Sequence, residues 1–413
     1  MFSADEILQA RELRTMQVLE LAKTSDVLTI KANVPGENKN LPQAYVLVGL
    51  FANLAKPFTK GKAMLLECAD GPCLVYEATV GAKIKAVELE ETHPLGRFVD
   101  IDVYPCGSQK SLSRGKMRKC YVCSNPAFVC GRTHVHTTEQ LVSALSDADT
   151  NYISDLLLSA IDDAILTELN LENKFGLVTP TSSGSHADMN YQTMLAAAKA
   201  IEPYVVQSFW IGATCGSDEL LKFVRPCGIS AEQAMLKATD GVNAYKGLIF
   251  VATLLTAAAG RAVSTGRPVS ESYKIVQKST LGITDELSSA QTFGGIAFRK
   301  YGITGARGQA EQGFPAVQFA QNLLACGISP LQALCEIVGQ TDDTVLLKRS
   351  GSRERYDYFR KLISDTDVSD SAKLLQTNRE CLQGNVSIGG SADILVAAVL
   401  QKNLSNIFCF DVK

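Results

Sequence analysis

The sequence predicts two domains of different class, an α+β domain at residues 1–145 and a larger all-α domain at residues 151–413. In the first part, short β-prone segments alternate with turn signals and one helical stretch, which is typical of an α+β domain. After a polar segment at 146–151, the predicted linker, apolar residues recur almost throughout at helical spacing. A chain of 413 residues is long enough for two such domains.

Composition narrows the class of protein. Hydrophobic residues make up 46% of the chain and charged residues 20%, as in a packed globular protein. The net charge of −3 argues against a sequence-independent nucleic-acid partner. The acidic N-terminal segment predicts no secretory signal, and the most apolar run, 247–260, is shorter than the roughly 18 residues of a membrane span. With 12 cysteines, we expect reduced thiols and a cytoplasmic protein without a membrane partner.

The elements of the first domain follow from local patterns. Ile7–Leu21 carries an apolar stripe at helical spacing. β-prone composition predicts strands at the following segments: 27–30, 44–50, 63–67 and 73–78. Pro35-Gly36 between the first two marks a turn.

The clearest chemistry of the first domain lies in the segment GRFVDIDVYP at 96–105. Phe98–Tyr104 alternates as a strand, so Asp100 and Asp102 share one face. Two carboxylates on adjacent same-face positions suit Mg²⁺-dependent phosphoryl or nucleotidyl transfer, and Arg97 adds a phosphate contact. The alternative is a pair of solvent-facing aspartates on an edge strand.

A cysteine-rich segment, RKCYVCSNPAFVCGRTHVH, follows at 118–136. Cys120 and Cys123 have the spacing of metal ligands, and Cys130 and His134 lie downstream with His136. These residues predict either a closed zinc site or reduced core thiols, and the spacing of one pair does not decide between them. Just before this segment, Arg114 brings positive charge near the aspartates in sequence.

These motifs together resemble one family. In order, they are RELRTMQ, ANVPGENKN, GRFVDIDV, LSR at 112–114 and the cysteine segment. They resemble holo-citrate lyase synthase, the phosphoribosyl-dephospho-CoA transferase of citrate lyase maturation, over nearly all of residues 5–145. The resemblance implies a nucleotidyltransferase-like domain that transfers its group to a serine of an apo acyl carrier protein and releases pyrophosphate. It also implies that Asp100 and Asp102 bind metal, with Arg97, Arg114 and the Pro35-Gly36 turn near the nucleotide.

The second domain is marked by a glycine-rich stretch, YGITGARGQAEQGFP, at 301–315. Gly302, Gly305 and Gly308 recur around Arg307, ahead of a helix that Pro315 predicts to run to about Cys326. Glycines, a guanidinium and a helix start together indicate an anion site. A tight interhelical loop with a surface arginine is the alternative.

Other polar, glycine-marked helix ends recur in this domain and favour a polyphosphate site where they converge. His186 and Asp188 precede one helix and can position an anion or a metal. The remaining members are Asn243 with Lys246, adjacent Asp342 and Asp343, and Gly390-Ser391 with Asp393 behind them. Each has a plain alternative as a helix cap.

The order of these motifs resembles triphosphoribosyl-dephospho-CoA synthase over roughly 155–400. That family joins ATP to 3'-dephospho-CoA and expels adenine, which keeps the triphosphate intact. The resemblance implies that Lys246, Arg307 and the 302–308 glycines hold phosphate and that Asp342 and Asp343 bind metal. It leaves three candidates for the general base: Glu311, Asp188 and His186.

This sequence departs from that family at several positions. Ala244-Tyr245 replaces Thr-His, Gln309 replaces Glu, Val345 and Lys348 replace Asn and His, and a His before Gly294 is missing. We therefore expect a bifunctional maturation enzyme of citrate lyase whose second site has lost titratable groups. The equivalent system for malonate decarboxylase, and a C-terminal half that binds nucleotide without catalysis, are the alternatives.

Overall fold

The computed structural model describes residues 2–123, 125–216 and 219–412. The chain divides into two compact units. The first comprises Met1–Leu156, Ala262–Val269 and Ser405–Lys413, and the second comprises Leu157–Arg261 and Ser270–Leu404.

The first unit is built on a four-stranded antiparallel sheet of order β2-β3-β1-β4. The strands are β1 Val27–Ala32, β2 Thr59–Leu66, β3 Cys73–Ala78 and β4 Val99–Tyr104. In β4, residues 99, 101 and 103 are buried, while Asp100 and Asp102 are half-exposed. The register pairs Asp100 with Lys31 and Asp102 with Thr29, so these side chains stand together on one face of the sheet.

Helices accompany this sheet, and one of them corrects the sequence prediction. They are α1 Ala4–Leu21, α2 Pro42–Ala55, α3 Ala82–Thr92 and α4 Ala127–Thr133, followed by the longer α5 Thr138–Leu169. The strand predicted at 44–50 is wrong, because the segment lies inside α2, which begins with Pro42 in its first turn. Residues 44–52 are all buried, so the segment lacks the polar face of an ordinary amphipathic helix and resembles a buried strand in sequence.

The second unit is helical, which confirms the class predicted for the later part of the chain. Its helices are α6 Tyr191–Thr214, α7 Leu220–Ala238, α8 Lys246–Val263, α9 Ser272–Ser279, α10 Glu286–Ser289, α11 Phe293–Tyr301, α12 Gly305–Glu311, α13 Pro315–Ala325, α14 Pro330–Gln340, α15 Thr344–Ser350, α16 Arg353–Ser364, α17 Ser371–Gln383 and α18 Gly389–Ile407. The helix predicted from Pro315 is α13, whose C-cap is Cys326. The polar segment 146–151 is not a loop linker, because it lies inside α5.

The apolar run at 247–260 lies within helix α8, which is long and apolar enough to cross a membrane by composition alone. In this fold, 78% of helix α8 is buried inside the protein. Helix α6 crosses it closely, since a Cβ on Gly212 would lie 1.8 Å from the Ala257 carbonyl oxygen and one on Gly260 would lie 2.0 Å from that of Phe209. Glycine at both positions lets the two backbones touch, which makes α8 a core helix.

Candidate active sites

A cavity of about 300 Å³, here the N-terminal cavity, lies against the sheet of the first unit. Asp100 and Asp102 both line it, and their side chains are 37% and 44% exposed, so both are accessible to a ligand. Burial, together with the neighbouring charge of Asp102, raises the pKa of Asp100, and the charge of Arg118 opposes that rise. Paired carboxylates that repel each other at a cavity wall form a site that a divalent cation would stabilise.

Cations also line the N-terminal cavity. Arg11 and Arg14 come from α1 and Lys31 from β1, and all three contact the fully buried Asp70. The Nζ of Lys31 lies 2.5 Å from Asp70 Oδ2, and NH2 of Arg11 lies 3.0 Å from Oδ1. Burial alone would raise the pKa of Asp70, but hydrogen bonds from Arg11 and Lys31 hold it well below its usual range.

The cluster around Asp70 was missed as a unit from the sequence. The i, i+3 spacing of the α1 arginines is the one local signal of it, and that spacing is also typical of a solvated helix face. One buried carboxylate orients three cationic side chains, and Lys39 lines the same cavity. Such a set of donors can bind the phosphates of a polyphosphate substrate.

Two predicted nucleotide contacts lie elsewhere. Arg114 is held by the buried Glu90, with its NH1 2.9 Å from Oε2, and it does not line the N-terminal cavity. Arg97 also lies outside the cavity lining, with its guanidinium 5.6 Å from the centroid of the Tyr121 ring. The arginine that contacts Asp100 is Arg118, which also contacts Glu90, and Lys83 contacts Asp102. The sequence alone shows only that Arg118 follows the aspartates closely along the chain.

The cysteine-rich segment folds so that potential metal ligands converge. Ligand atoms of Cys120, Cys123, Cys130 and His136 all lie within 4.8 Å of one another. The histidine of this group is His136, so the expectation that His134 would join the cysteines is wrong. His134 is exposed and has a left-handed backbone conformation (φ 48°) at the C-terminal end of α4.

The second unit contains a larger cavity with two adjoining chambers, here the C-terminal cavity. Its main chamber has a volume of about 700 Å³ and its side chamber about 440 Å³. Both chambers share the following lining residues: Lys246, Gly247, Thr292, Gly294, Thr304, Gly305, Ala306 and Thr344. The side chamber has a mainly apolar wall, and ion pairs of Arg225 and Arg307 with Glu286 lie at its edge.

Helix beginnings surround the main chamber. Helices α8, α11, α12, α15 and α18 all start at residues that line it. The first N–H groups of a helix have no partner within the helix, and the helix dipole places partial positive charge there. Side chains already accept from the first N–H groups at four of these starts: Asn243 at α8, Thr292 at α11, and Asp343 at both α15 and α18. The helix dipoles still add partial positive charge around the cavity, and its lining includes Asn243, Lys246, Gly305 and Gly390.

Asp343 connects two of these helix starts. Its Oδ1 accepts hydrogen bonds from the backbone N–H groups of Val345 and Leu346, and its Oδ2 accepts two from Ser391. Four bonds occupy the acceptor positions of a carboxylate, so Asp343 caps α15 and joins it to α18. Ser391 is fully buried by this contact and does not line the cavity. Asp342 lines the chamber and accepts a hydrogen bond from Tyr356.

His186 lines the chamber but is poorly suited to be the general base. Its Nδ1 lies 2.9 Å from a guanidinium nitrogen of Arg349, which can only donate, so Nε2 carries the proton and donates to Ser387 Oγ. Burial and the charge of Arg349 lower the pKa of His186 to about 4. The ring is thus neutral near pH 7 and both nitrogens are engaged, as in a structural brace.

The other two candidates for the base lie outside the main chamber lining. Glu311 turns away, and its carboxylate accepts from Gly282 N–H and Thr284 Oγ1, each at 2.5 Å. Asp188 is 63% exposed and sits 4.0 Å from the Nδ1 atom of His186. Arg307 lines the side chamber instead of the main one, and Gly308 lies inside α12 packed against Thr304.

A carboxylate missed as a base candidate does line the chamber. Asp393 stands in the first turn of α18, and a Cβ on Gly247 would lie 2.0 Å from its Oδ2, so the carboxylate lies against the start of α8. Burial raises the pKa of Asp393 well above its usual value, and the charges of Asp343 and Glu168 add to the rise. Glu168 and Lys174 form a buried ion pair of 2.7 Å on the same wall.

The positions at which the chain departs from the synthase pattern also line the main chamber. Ala244, Tyr245, Gln309, Val345 and Lys348 are all among the lining residues, as is Phe293 next to Gly294. Tyr245 is buried, and its hydroxyl has no hydrogen-bond partner in the part of the chain that the structure describes. The departures thus collect in one place and change the chemistry of one cavity wall.

Comparison with known proteins divides the chain near residue 153. Residues 2–152 match CitX, described as apo-citrate lyase phosphoribosyl-dephospho-CoA transferase, and residues 154–410 match CitG, described as ATP:dephospho-CoA triphosphoribosyl transferase. Protein CitXG of Haemophilus influenzae is 30% identical, covering 96% of this chain and 95% of that protein. Protein CitXG of Leuconostoc mesenteroides is 28% identical, with 95% coverage of each. The 2-(5''-triphosphoribosyl)-3'-dephosphocoenzyme-A synthase of Haemophilus ducreyi is 32% identical, covering 70% of this chain and 100% of that protein.

Proposed function

We propose, from the premise that this chain belongs to the CitXG family, that one polypeptide makes the prosthetic group of citrate lyase and attaches it. The observation that carries the proposal is that each unit has its own polyphosphate-compatible cavity. The motifs typical of the two families contribute residues to the corresponding cavities: Asp100 and Asp102 in the first, and Lys246, Gly305 and Gly390 in the second.

The first reaction belongs to the C-terminal cavity. The bond between adenine and C1' of the ATP ribose breaks, and the 2'-oxygen of 3'-dephospho-CoA forms a new bond to C1'. The 2'-hydroxyl proton passes to a base, and the departing adenine takes up a proton. Two substrates must meet at one ribose, and the two adjoining chambers with a shared wall support that arrangement. Helix starts hold the triphosphate without cleaving it.

Asp393 is the group that we assign as the base. It is a carboxylate in the lining of the main chamber, and a carboxylate serves as a general base when it lies within reach of the proton that it accepts. Its position against Gly247 puts it beside the wall that the two chambers share. Arg307 and Lys246 are assigned to phosphate, and Asp342 to a metal that accompanies the triphosphate.

The second reaction belongs to the N-terminal cavity, in a nucleotidyltransferase-like unit. A serine oxygen of the apo acyl carrier protein of citrate lyase attacks the phosphate next to the ribose, and pyrophosphate leaves. Asp100 and Asp102 would hold Mg²⁺, which neutralises developing charge on the phosphates when bound. Arg11, Arg14 and Lys31, which line the same cavity, would bind the triphosphate. The reacting groups are soluble nucleotides and a carrier protein, so we place the activity in the cytoplasm. We assign the two activities to domains at 1–145 and 151–413.

One assay tests the proposal. The full chain is incubated with ATP, 3'-dephospho-CoA and the apo-carrier of citrate lyase, and both adenine release and the mass of the carrier are measured. We expect adenine and a carrier heavier by one phosphoribosyl-dephospho-CoA group. If well-folded protein releases no adenine, the first activity is contradicted and a C-terminal unit that only binds nucleotide is favoured. Modification of a malonate decarboxylase carrier alone would contradict the second.

A further inference from the structure

The group of Cys120, Cys123, Cys130 and His136, here the Cys–His cluster, lies outside the lining of both cavities. The Sγ atoms of Cys123 and Cys130 are 3.5 Å apart, and Nε2 of His136 lies 3.3 Å from Cys123 Sγ. Cys120 and Cys130 are only 8% and 7% exposed. The four side chains come from positions up to sixteen residues apart and still converge. Cysteines that are simply buried in a core have no reason to lie together with a histidine in this way.

We propose that the Cys–His cluster binds one Zn²⁺ ion with a structural role. Three thiolates and one imidazole are a ligand set of closed, four-coordinate zinc sites. With zinc–sulfur bonds of about 2.3 Å, a tetrahedron places its sulfur atoms about 3.8 Å apart. The observed separations are close to that value, so the ligands need to move little. Four protein ligands leave no open position, which is why we assign a structural ion and not a catalytic one.

The backbone around the cluster supports this assignment. The N–H groups of Val122 and Cys123 donate to Cys120, a pattern that stabilises thiolate charge. The ends of the loop are joined, since Cys120 N–H donates to the Asn125 carbonyl and Ala127 N–H donates to that of Arg118, both at 2.8 Å. The loop is therefore closed around one end of the cluster, and α4 supplies Cys130.

The loop that the ion would hold carries two contacts to the N-terminal cavity. Arg118 lies two positions before Cys120 and contacts Asp100, and the hydroxyl of Tyr121 donates to the Asn33 carbonyl. Asp100 and Asn33 both line the cavity. Zinc would thus act as a positioning element, holding Arg118 beside Asp100 without touching substrate.

Metal analysis of the wild-type chain is the first test. Protein purified under reducing conditions without chelator is expected to contain about one zinc per chain, and Cys123→Ser and His136→Asn are expected to contain far less. His134→Asn is the matched control, because His134 is exposed and Asn tolerates its left-handed backbone. It should retain zinc at the wild-type level. Reduced wild-type protein that stays metal-free after incubation with zinc would overturn the proposal, as would stoichiometric iron.

Cobalt replacement tests the ligand set. Co²⁺ in place of zinc should give the visible bands of a tetrahedral site together with thiolate-to-cobalt charge transfer. Loss of one thiolate in Cys123→Ser should weaken the charge-transfer band, and His134→Asn should leave it unchanged. Octahedral cobalt without charge transfer would contradict the assigned ligands.

Activity measurements separate this inference from the proposed function. Zinc removal from the wild-type chain is expected to lower carrier modification from supplied triphosphoribosyl-dephospho-CoA at least about tenfold, to leave adenine release unchanged, and to be reversed by added zinc. Full transfer by demonstrably zinc-free protein would overturn the positioning role. If neither activity occurs in zinc-loaded protein, the proposed function fails while the zinc assignment stands on its metal content.

Discussion

The two cavities of this protein handle related polyphosphates with different means. The N-terminal cavity is small and dense in charged side chains, with both cations and carboxylates in its lining. The C-terminal cavity is more than twice as large, and helix starts and glycines make up much of its lining. Side-chain charges suit a site that must stabilise a departing pyrophosphate. Backbone dipoles suit a site that must bind a triphosphate and leave it intact.

The difference also bears on how each site tolerates change. In the N-terminal cavity, the proposed function depends on a few carboxylates and cations, each oriented by a charged partner: Asp70 holds the cations, and Arg118 contacts Asp100. In the C-terminal cavity, the positions that depart from the synthase pattern line the wall, while the helix starts that supply backbone donors remain. Backbone groups do not depend on the identity of the side chain, so we expect such a site to keep binding phosphate after losing titratable residues.

The largest expected effect breaks the N-terminal site alone. Asp100→Asn removes a charge that the proposed Mg²⁺ site requires while preserving shape, and it should reduce carrier modification on the order of a thousandfold. Adenine release, measured by chromatography, should stay at the wild-type level. Asp147→Asn is the control, since Asp147 is exposed on α5 and hydrogen bonds only within its helix to Ser143. Equal loss of both activities would show that the two cavities do not divide the work.

Asp393→Asn should have the converse effect. If Asp393 accepts the 2'-hydroxyl proton, its amide should lower adenine release on the order of a hundredfold or more. Transfer from supplied triphosphoribosyl-dephospho-CoA should be unaffected. Asp188→Asn is the matched control, because Asp188 is exposed outside the main chamber lining. Loss of adenine release in the control and not in Asp393→Asn would return Asp188 to the role of base.

A pH measurement tests the structural role of His186. The unfolded chain binds a proton at this position below about pH 6.5, while the native state resists until about pH 4. The free energy of unfolding should therefore fall as the pH drops through this window. Each pKa unit corresponds to about 1.4 kcal/mol, so His186 should account for a loss of about 3 kcal/mol.

Comparison with His186→Gln isolates that contribution. The stability difference between wild type and variant, from denaturant unfolding, should shift by that amount between pH 7 and pH 4. Other titrating groups are common to both proteins and cancel. A difference that stays constant with pH would mean that the pKa of His186 is the same in the native and unfolded states, so that the native ring is not held neutral by its surroundings.

The smallest expected effect concerns Arg307 in the side chamber. Arg307→Ala should weaken adenine release about tenfold, as expected for loss of one partly exposed charged contact to phosphate. Carrier modification should not change. Arg353→Ala is the control, since Arg353 pairs with Asp357 on the surface of α16. An effect of Arg307→Ala on carrier modification alone would assign the side chamber to the other reaction.

Local patterns predicted much of this structure. Alternation at 99–104 requires only neighbouring residues, and the structure has Asp100 and Asp102 together at the cavity. The first-turn proline Pro315 likewise predicts the start of α13. Where burial removes the polar face, the pattern fails, as in the 44–50 segment of α2.

What the sequence by itself determined is the class of each part, the carboxylate-bearing strand and the glycine-marked helix starts, because these depend on short-range geometry. Tertiary structure decided which side chains meet. Asp70 contacts cationic side chains from both α1 and β1. Arg349 occupies the Nδ1 atom of His186, so this ring is not free to act as a base. His136, and not the expected His134, joins the three cysteines. Such contacts join residues far apart in the chain, and packing sets their distances, so no local pattern carries them.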